Sequence, residues 1–494
     1  MSQQELKISR RNFLKTTALA SFFASVGSHY IFSFPAVGQE LQSTEEWSSN
    51  HLFLQGINAP VFQEVDVNNL KITGEVPSDL SGIYMRNGPN PFLKLSTYNY
   101  PLEGDGMIHA VYFENGKVRY RNRWILTESL LQDMKGEKPN EQEFNLRNYA
   151  NTSIVSCGDN ILALYEAGLP YKLTPELETV GQWDFAGKVQ EAMTAHPRFD
   201  PRTGELHFYR YSFIAVPYLI YYVADSRGKV IKEVPIEIPE PALLHDAAIT
   251  ENYLIFFHCP LVFNMMKAFE GEMPIAWEPN KGTKISLINR HKPQQINFWL
   301  ETEAFWSWHF MNAFEVNDQV IIDFAHYPTL NMDNNISNII SNKSSFRRII
   351  AEPLTGRVKH ETIDDRVVDF PTFDLRKTGQ AYRFGYMPHI DLELIASKGI
   401  PNYFPELIQY DLVNNTSKVH RFKPGSYCGE ATFVPRKGGE SEADGYVMTF
   451  VFDENKGTSD LVIIDAANFE AEPLAQIHLP VRVPNGFHGN WISV

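Results

Sequence analysis

Cysteine is scarce in this chain. Cys157, Cys259 and Cys428 are the only three in 494 residues and lie far apart. There is no Cys-x-x-Cys pair and no even framework, which excludes a disulfide-stapled scaffold and a thiolate zinc site. Basic charge is also short: 44 Lys and Arg stand against 59 Asp and Glu, for a formal net charge of −15. Gripping a phosphate backbone needs clustered cations, so a nucleic-acid partner is excluded. Beyond the N-terminal segment no stretch reaches the ~18 apolar residues of a membrane-crossing helix. Long helical periodicity is scarce too. What the chain has in quantity is aromatic residues: 34 Phe, 22 Tyr and 8 Trp, within a composition that is 43% hydrophobic. That supplies a large core weighted toward strand formers.

The N-terminus carries its own signal. SRRNFLK sets Arg10 and Arg11 ahead of Phe13 and Leu14, and TTALASFFASVGSHYIFSFPAV follows. Twin arginines before a modest apolar region read as a Tat export signal over residues 1–38. It is either cleaved near Ala36-Val37-Gly38 or kept as an anchor. The expected location is the periplasm or a thylakoid lumen. Residues 39–60 read as a polar lead-in, and residues 61–494 as a single domain.

Length alone suggests about three domains at roughly 150 residues each, but the pattern from residue 61 onward is uniform. Short alternating or apolar runs such as AVYFENGKVRYRNRWIL, LHFYRYSFI, YLIFFH and GYVMTFVFD alternate with turn signals. Those turns include Asn115-Gly116, Pro201 to Gly204, Ser226-Arg227-Gly228 and Asn414-Asn415. These are strands and hairpins. Their even recurrence predicts an all-β chain folded as one β-propeller rather than several sandwiches. Segments 128–147, 259–283 and 328–350 read as insertions capping one face.

Of fifteen histidines, four stand at the edge of apolar or aromatic runs: His196 in AMTAHPRFDP, His245 in PALLHDAAIT, His309 in WSWHFMNAFE and His488 in VPNGFHGNW. His51, His291, His360 and His420 sit in polar surroundings. His488 is the oddest, because termini usually fray. The four are separated by 49, 64 and 179 residues. Seven four-stranded blades would take roughly 60 residues each. The spacings then approximate one, one and three blades, and equivalent strand ends converge on a central channel. Imidazoles meeting there suit a divalent transition metal. Read singly, each is more readily a hydrogen-bonded core histidine than a ligand.

Taken together, GIYMRNGPNPF, EGDGMIHAVYFENGKVRYRNRWI, LALYEAGLPYKL, AHPRFDPRTGELH, LLHDAAITENYLIFF, SWHFMNAFE and VPNGFHGNW resemble the carotenoid cleavage oxygenase family, in order from about residue 60 to the C-terminus. The resemblance implies a seven-bladed propeller with a helical dome. It implies one Fe2+ on the axis, held by His196, His245, His309 and His488, and O2 as co-substrate to split a conjugated double bond. It also implies carboxylates behind the ligands: Glu166 in LALYEAG, Glu430 in CGEATFVP and, where the family places a third glutamate, Asp369 in VVDFPTFD. The shorter Asp369 is expected to reach its histidine through a backbone shift or a bridging water, or to leave it looser. Thr152 in NYANTSIV matches a residue beside an open iron position; it is equally an ordinary strand threonine. Leu102-Glu103-Gly104-Asp105-Gly106 departs from the usual Phe-Asp-Gly-Asp-Gly and reads as turn variation.

The implied substrate is a long apolar polyene without an ionisable handle. Phe305, Trp306, Trp308, Phe310 and Phe487, beside the implied ligands, are candidate walls for it, or plain core. Such a substrate lives in membranes, so Leu261–Phe269 is the expected peripheral membrane contact. Phe213 to Tyr222 is a second candidate that reads better as a buried strand. Competing readings keep the scaffold and change the chemistry: a stilbene-type double-bond dioxygenase, or a carotenoid-binding or isomerising propeller.

Overall fold

A computed structural model describes residues 52–93, 103–114, 116–136, 147–213, 215–263, 275–294, 297–332 and 335–493. The residues read as a Tat signal lie outside these. The anticipated short strands form, and among the described residues they assemble into seven antiparallel blades around one axis, with one separate two-stranded sheet and few helices. Blades two to six are four-stranded meanders built from consecutive chain. They run Ser153–Gln182, Arg198–Ile236, Ala248–Thr302, Phe310–Asp364 and Thr372–Arg421.

Blades one and seven close the ring by mixing the two ends of the chain. In blade one, strand Gly489–Ser493 pairs with Gly82–Pro89, with Ile492 opposite Ile83 and Trp491 opposite Tyr84. In blade seven, strand Lys71–Gly74 pairs with Ala475–His478. Mixing the two chain ends closes the ring of blades, and this radial repetition leaves only short, protected sheet edges.

The first strand of each blade lies innermost. Gly489–Ser493 touches Ser153–Cys157 on one side and Thr432–Pro435 on the other. Ala248–Ile249 likewise lies between Arg198–Asp200 and Phe310–Val316. Between blades, aromatic and aliphatic faces interlock. The largest core joins blades four to six and centres on Phe257, whose ring lies 4.4 Å from Phe310, 4.8 Å from Phe324 and 5.0 Å from Phe305.

The insertions differ in part from expectation. Segment 128–147 holds helix Glu128–Met134, capped by the Thr127 hydroxyl accepting from the Leu130 amide. Segment 328–350 holds helix Ile336–Ser341, but its last residues belong to Ser345–Glu352, the third strand of blade five. The run of apolar alternation there hid the boundary. A third helix, Leu392–Lys398, lies outside the anticipated insertions and packs on the second through Ile395, Tyr403 and Tyr427, together with Ile57. Residues 52–60 therefore do not trail as a polar lead-in. Phe53, Leu54 and Ile57 are buried, and the Asn485 amide donates to the Ile57 carbonyl. Of Leu261–Phe269, Leu261 and Val262 are buried in a strand paired with Ile275–Trp277, and residues 264–269 lie outside the described residues. Phe213 to Tyr222 ends in the buried strand Leu219–Ala224.

Two expected results arise from the packing. All three cysteines are free and buried, and burial pushes the thiols of Cys157 and Cys259 up to about 11 and about 12. The thiolate is the reactive form. The folded protein will therefore give almost no colour with a thiol reagent at pH 8, and three equivalents after denaturation.

The second result concerns acid. Burial, with the Arg347 charge nearby, holds His326 neutral and down to about 4. Unfolded, the ring titrates near 6.5. Between these values the unfolded chain binds the extra proton, so stability is full above about pH 6.5 and drains away as pH falls toward 4. At about 1.4 kcal/mol per pH unit this one ring accounts for about 3 kcal/mol. The urea midpoint will drop from pH 7 to pH 5, and His326→Phe will flatten that slope.

Candidate metal centre

Each blade starts its innermost strand with one residue at the lip of the central channel. In blade order these are His488, Thr152, His196, His245, His309, Asp369 and Glu430, each within three residues of the strand that follows. Four imidazoles thus meet from blades one, three, four and five. The ring of His196 lies 4.5 Å from that of His245, 4.6 Å from His488 and 5.3 Å from His309. His309 lies 4.9 Å from His488. Ring nitrogens of His196, His245 and His309 all fall within 4.8 Å of one another. The Nε2 atoms of His196 and His245 are 3.0 Å apart.

The tail is pulled in by its backbone. The Phe487 amide donates to the Asn87 carbonyl, and the Asn87 amide to the His488 carbonyl. The His488 amide donates to the Thr152 carbonyl at 3.1 Å. Arg86 donates to the Pro484 carbonyl. Gly486 is required at the turn: a Cβ there would meet the Asn87 carbonyl oxygen at 2.7 Å.

Three rings carry a carboxylate on Nδ1. His245 bonds Glu166 at 3.0 Å, His309 bonds Asp369 at 2.8 Å and His488 bonds Glu430 at 2.8 Å. An ionised carboxylate only accepts, so in these three rings Nδ1 bears the proton and Nε2 carries a lone pair. Among the described residues no carboxylate bonds His196. Asp369 reaches His309 directly, despite its shorter arm. Its second oxygen accepts from the Tyr327 hydroxyl at 2.5 Å. The second oxygen of Glu430 accepts from the Gly489 amide at 2.7 Å.

Burial favours the neutral ring at two of the four histidines, His196 and His309. Burial, and then the neighbouring histidines, push His196 well below its ordinary value. Burial also lowers His309, against the pull of Asp369. At His245 burial is outweighed by the Glu166 carboxylate, which raises it. At Asp369 burial is outweighed by His309 and Tyr327, which keep the acid ionised. Converging imidazoles, three of them with Nε2 left free by a carboxylate on Nδ1, are a donor set for a divalent transition metal.

Thr152 stands between His488 and His196 in the ring of blades. Its hydroxyl donates to Asn151 at 3.0 Å. The wall candidates divide. Phe305, Trp306 and Phe310 are buried core, whereas the Trp308 ring lies nearly perpendicular to that of His245, with centroids 4.9 Å apart. Phe487 is half-buried beside His488. The turn at Asp105 is structural: Arg147 pairs with its carboxylate at 2.6 Å, and a Cβ on Gly106 would meet the Ala150 carbonyl oxygen at 2.5 Å. His420, which sits in polar sequence surroundings, is buried and bonds the Phe469 carbonyl at 3.0 Å.

Three features escaped sequence reasoning. Phe370 holds a left-handed φ of 52° and lays its ring 5.1 Å from His309 and 5.7 Å from His488. Tyr327 supplies the donor to Asp369. Beneath the rings, Asp246 accepts from the Arg198 guanidinium at 2.5 Å and from the Phe310 amide at 2.9 Å, while Arg198 Nε donates to the Ala247 carbonyl. One ion pair thereby ties together blades three, four and five just below their histidines. Its signal was adjacency: Asp246 follows His245, and Arg198 lies two residues after His196.

The family model for retinal pigment epithelial membrane protein matches residues 58–493. The carotenoid cleavage oxygenase of Mycobacterium tuberculosis (strain ATCC 25618 / H37Rv) is 30% identical over 493 residues, covering 90% of this chain and 98% of that protein. The isoeugenol monooxygenase of Pseudomonas nitroreducens is 32% identical over 470 residues, covering 89% and 97%. The crystal structure of the Pseudomonas brassicacearum lignostilbene dioxygenase superposes with a TM-score of 0.83 at 27% identity, over 90% of this chain and 99% of that one.

Proposed function

Because the chain belongs to the family of the retinal pigment epithelial membrane protein and the carotenoid cleavage oxygenases, we propose that it is an Fe(II)-dependent dioxygenase cleaving a conjugated double bond of a carotenoid or apocarotenoid. The observation carrying this reading is the meeting of four imidazoles from equivalent blade positions, three of them braced by carboxylates. His196, His245, His309 and His488 hold the iron in this reading, with Glu166, Asp369 and Glu430 fixing the tautomers. Iron supplies the means of activating O2. The chain's own residues do the rest. Trp308 and Phe370 offer ring faces and edges beside the histidines, and an uncharged polyene is retained by apolar burial at about 25 cal/mol per Å². No carboxylate or amine need touch the substrate. Thr152 narrows the gap between His488 and His196, where no histidine stands.

A phenolic alkene is the second reading. It is favoured by likeness to an isoeugenol monooxygenase and a lignostilbene dioxygenase. Export through the twin-arginine signal, and contact with a membrane near Leu261–Phe269, belong to the same proposal. A signal-reporter fusion and a lipid-vesicle flotation test them.

The deciding experiment reconstitutes the purified protein with Fe(II) and offers carotenoids, apocarotenals, a hydroxystilbene and isoeugenol, with and without O2. Paired carbonyl products that appear only with O2 support cleavage, and their masses name the bond and the substrate class. Full iron occupancy with no product from any alkene leaves a binding or isomerising propeller.

A further inference from the structure

Three carboxylates brace histidines at this centre, and they are not alike. Glu166 and Glu430 reach Nδ1 on two-methylene arms. Asp369 has one methylene and still bonds His309 at 2.8 Å. The reach is made up in two ways. The backbone turns into the left-handed region at Phe370, whose amide donates to Asp369 Oδ1 at 2.7 Å. The far oxygen, Oδ2, is then taken by the Tyr327 hydroxyl at 2.5 Å. Glu430 needs no such side chain, because its second oxygen is met by the backbone of its own histidine's strand.

Tyr327 is well placed for this work. It follows the second strand of blade five, Gln319–His326, and is buried. A pair of 2.8 Å backbone hydrogen bonds ties it to Trp306, three residues before His309. The stretch bearing Asp369 is pinned as well. The Ser344 hydroxyl donates to the Val368 carbonyl at 2.7 Å, and the Ile390 amide to the Val367 carbonyl at 2.8 Å. Tyrosine, aspartate and histidine thus form one chain of hydrogen bonds, anchored at both ends.

Resting on the four-histidine reading above, we propose that Tyr327 is a positioning residue for His309, and that Tyr327 and Asp369 act as one unit in which hydroxyl and short carboxylate together replace a glutamate. The extra methylene of a glutamate at 369 would need the room the Tyr327 hydroxyl fills. The two positions are therefore coupled: either change alone misplaces the carboxylate, and both together restore it.

The test is a double-mutant cycle read by cobalt. Apoprotein is titrated with Co(II), and affinity, stoichiometry and the visible d–d spectrum are recorded, with near-UV circular dichroism as the check on folding. Supporting residues of this kind are worth about 10- to 100-fold in metal affinity. Tyr327→Phe is expected to lose about that much and to alter the spectrum, and Asp369→Glu to lose a comparable amount. Tyr327→Phe/Asp369→Glu is expected to return to within about threefold of the parent affinity. A purely structural tyrosine would not be rescued by lengthening a neighbour's side chain. Parent-like affinity and spectrum in Tyr327→Phe, or losses that simply add in the double variant, overturn the coupling while leaving the metal centre in place. If Tyr327→Phe alone misfolds, the folded double variant decides the matter by its recovered or unrecovered affinity. Failure of the parent protein to bind one Co(II) per chain, or undiminished binding in His309→Ala, sinks the four-histidine reading and this proposal with it.

Discussion

On the proposed four-histidine reading, His488→Ala will leave a folded propeller that no longer retains the proposed iron and has lost the proposed turnover. The fold survives because strand Gly489–Ser493 stays paired to Gly82–Arg86 through its backbone, and Glu430 keeps the Gly489 amide. What goes is one imidazole of four. Removing a mere support for a ligand already costs about 10- to 100-fold in metal affinity, so removing the ligand itself is expected to cost at least about 100-fold. Metal analysis after dialysis reads this directly. His420→Ala is the matched control. His420 is buried on the outer strand of blade six and bonds the Phe469 backbone carbonyl of blade seven. Its loss should lower the urea midpoint and leave metal content alone. Equal metal retention in both variants would remove His488 from the centre.

Asp246→Ala is expected to give the largest loss of stability. The Asp246 side chain is only 1% exposed, and it neutralises Arg198 while accepting the Phe310 amide. Truncation strands a largely buried guanidinium and frees the joint between blades three, four and five. Removing one partner of a buried pair costs about 3–5 kcal/mol. The urea midpoint should fall accordingly, and iron affinity with it, because His196, His245 and His309 lie within two residues of the broken contacts. Arg198→Met/Asp246→Leu removes both charges and should recover most of the stability but not the iron affinity. A midpoint unchanged in Asp246→Ala would show that the pair does no more than an exposed one.

Much of the centre could be read along the chain, for a specific reason. Each proposed ligand sits at the lip of an innermost strand, and such lips carry a local signature: an apolar run, a break, then a strand. The braces behind the ligands were legible only by resemblance, since Glu166 and His245 are 79 positions apart and on different blades. The aromatic neighbours were harder. Phe305, Trp306, Trp308 and Phe310 share one run of sequence, yet of these Trp308 meets one of the four central histidine rings while Phe305 packs on His326 and His360, and Phe370 was passed over beside its proline. Alternation tells which residues share a face of a strand, but not what that face meets.

By itself, the sequence determined the class of fold, because turn residues and two-residue alternation recur along the chain between a few insertions, and local backbone preference is enough to fix both. It also determined which histidines stand at strand ends. Only the tertiary structure decided that the C-terminal strand completes blade one and an N-terminal strand completes blade seven. It alone set Thr152 between two histidines, Arg198 across three blades, and Tyr327 behind a carboxylate one methylene short. Those placements depend on how seven sheets close into a ring, which is settled by packing between residues distant in the chain and leaves no periodic trace along it.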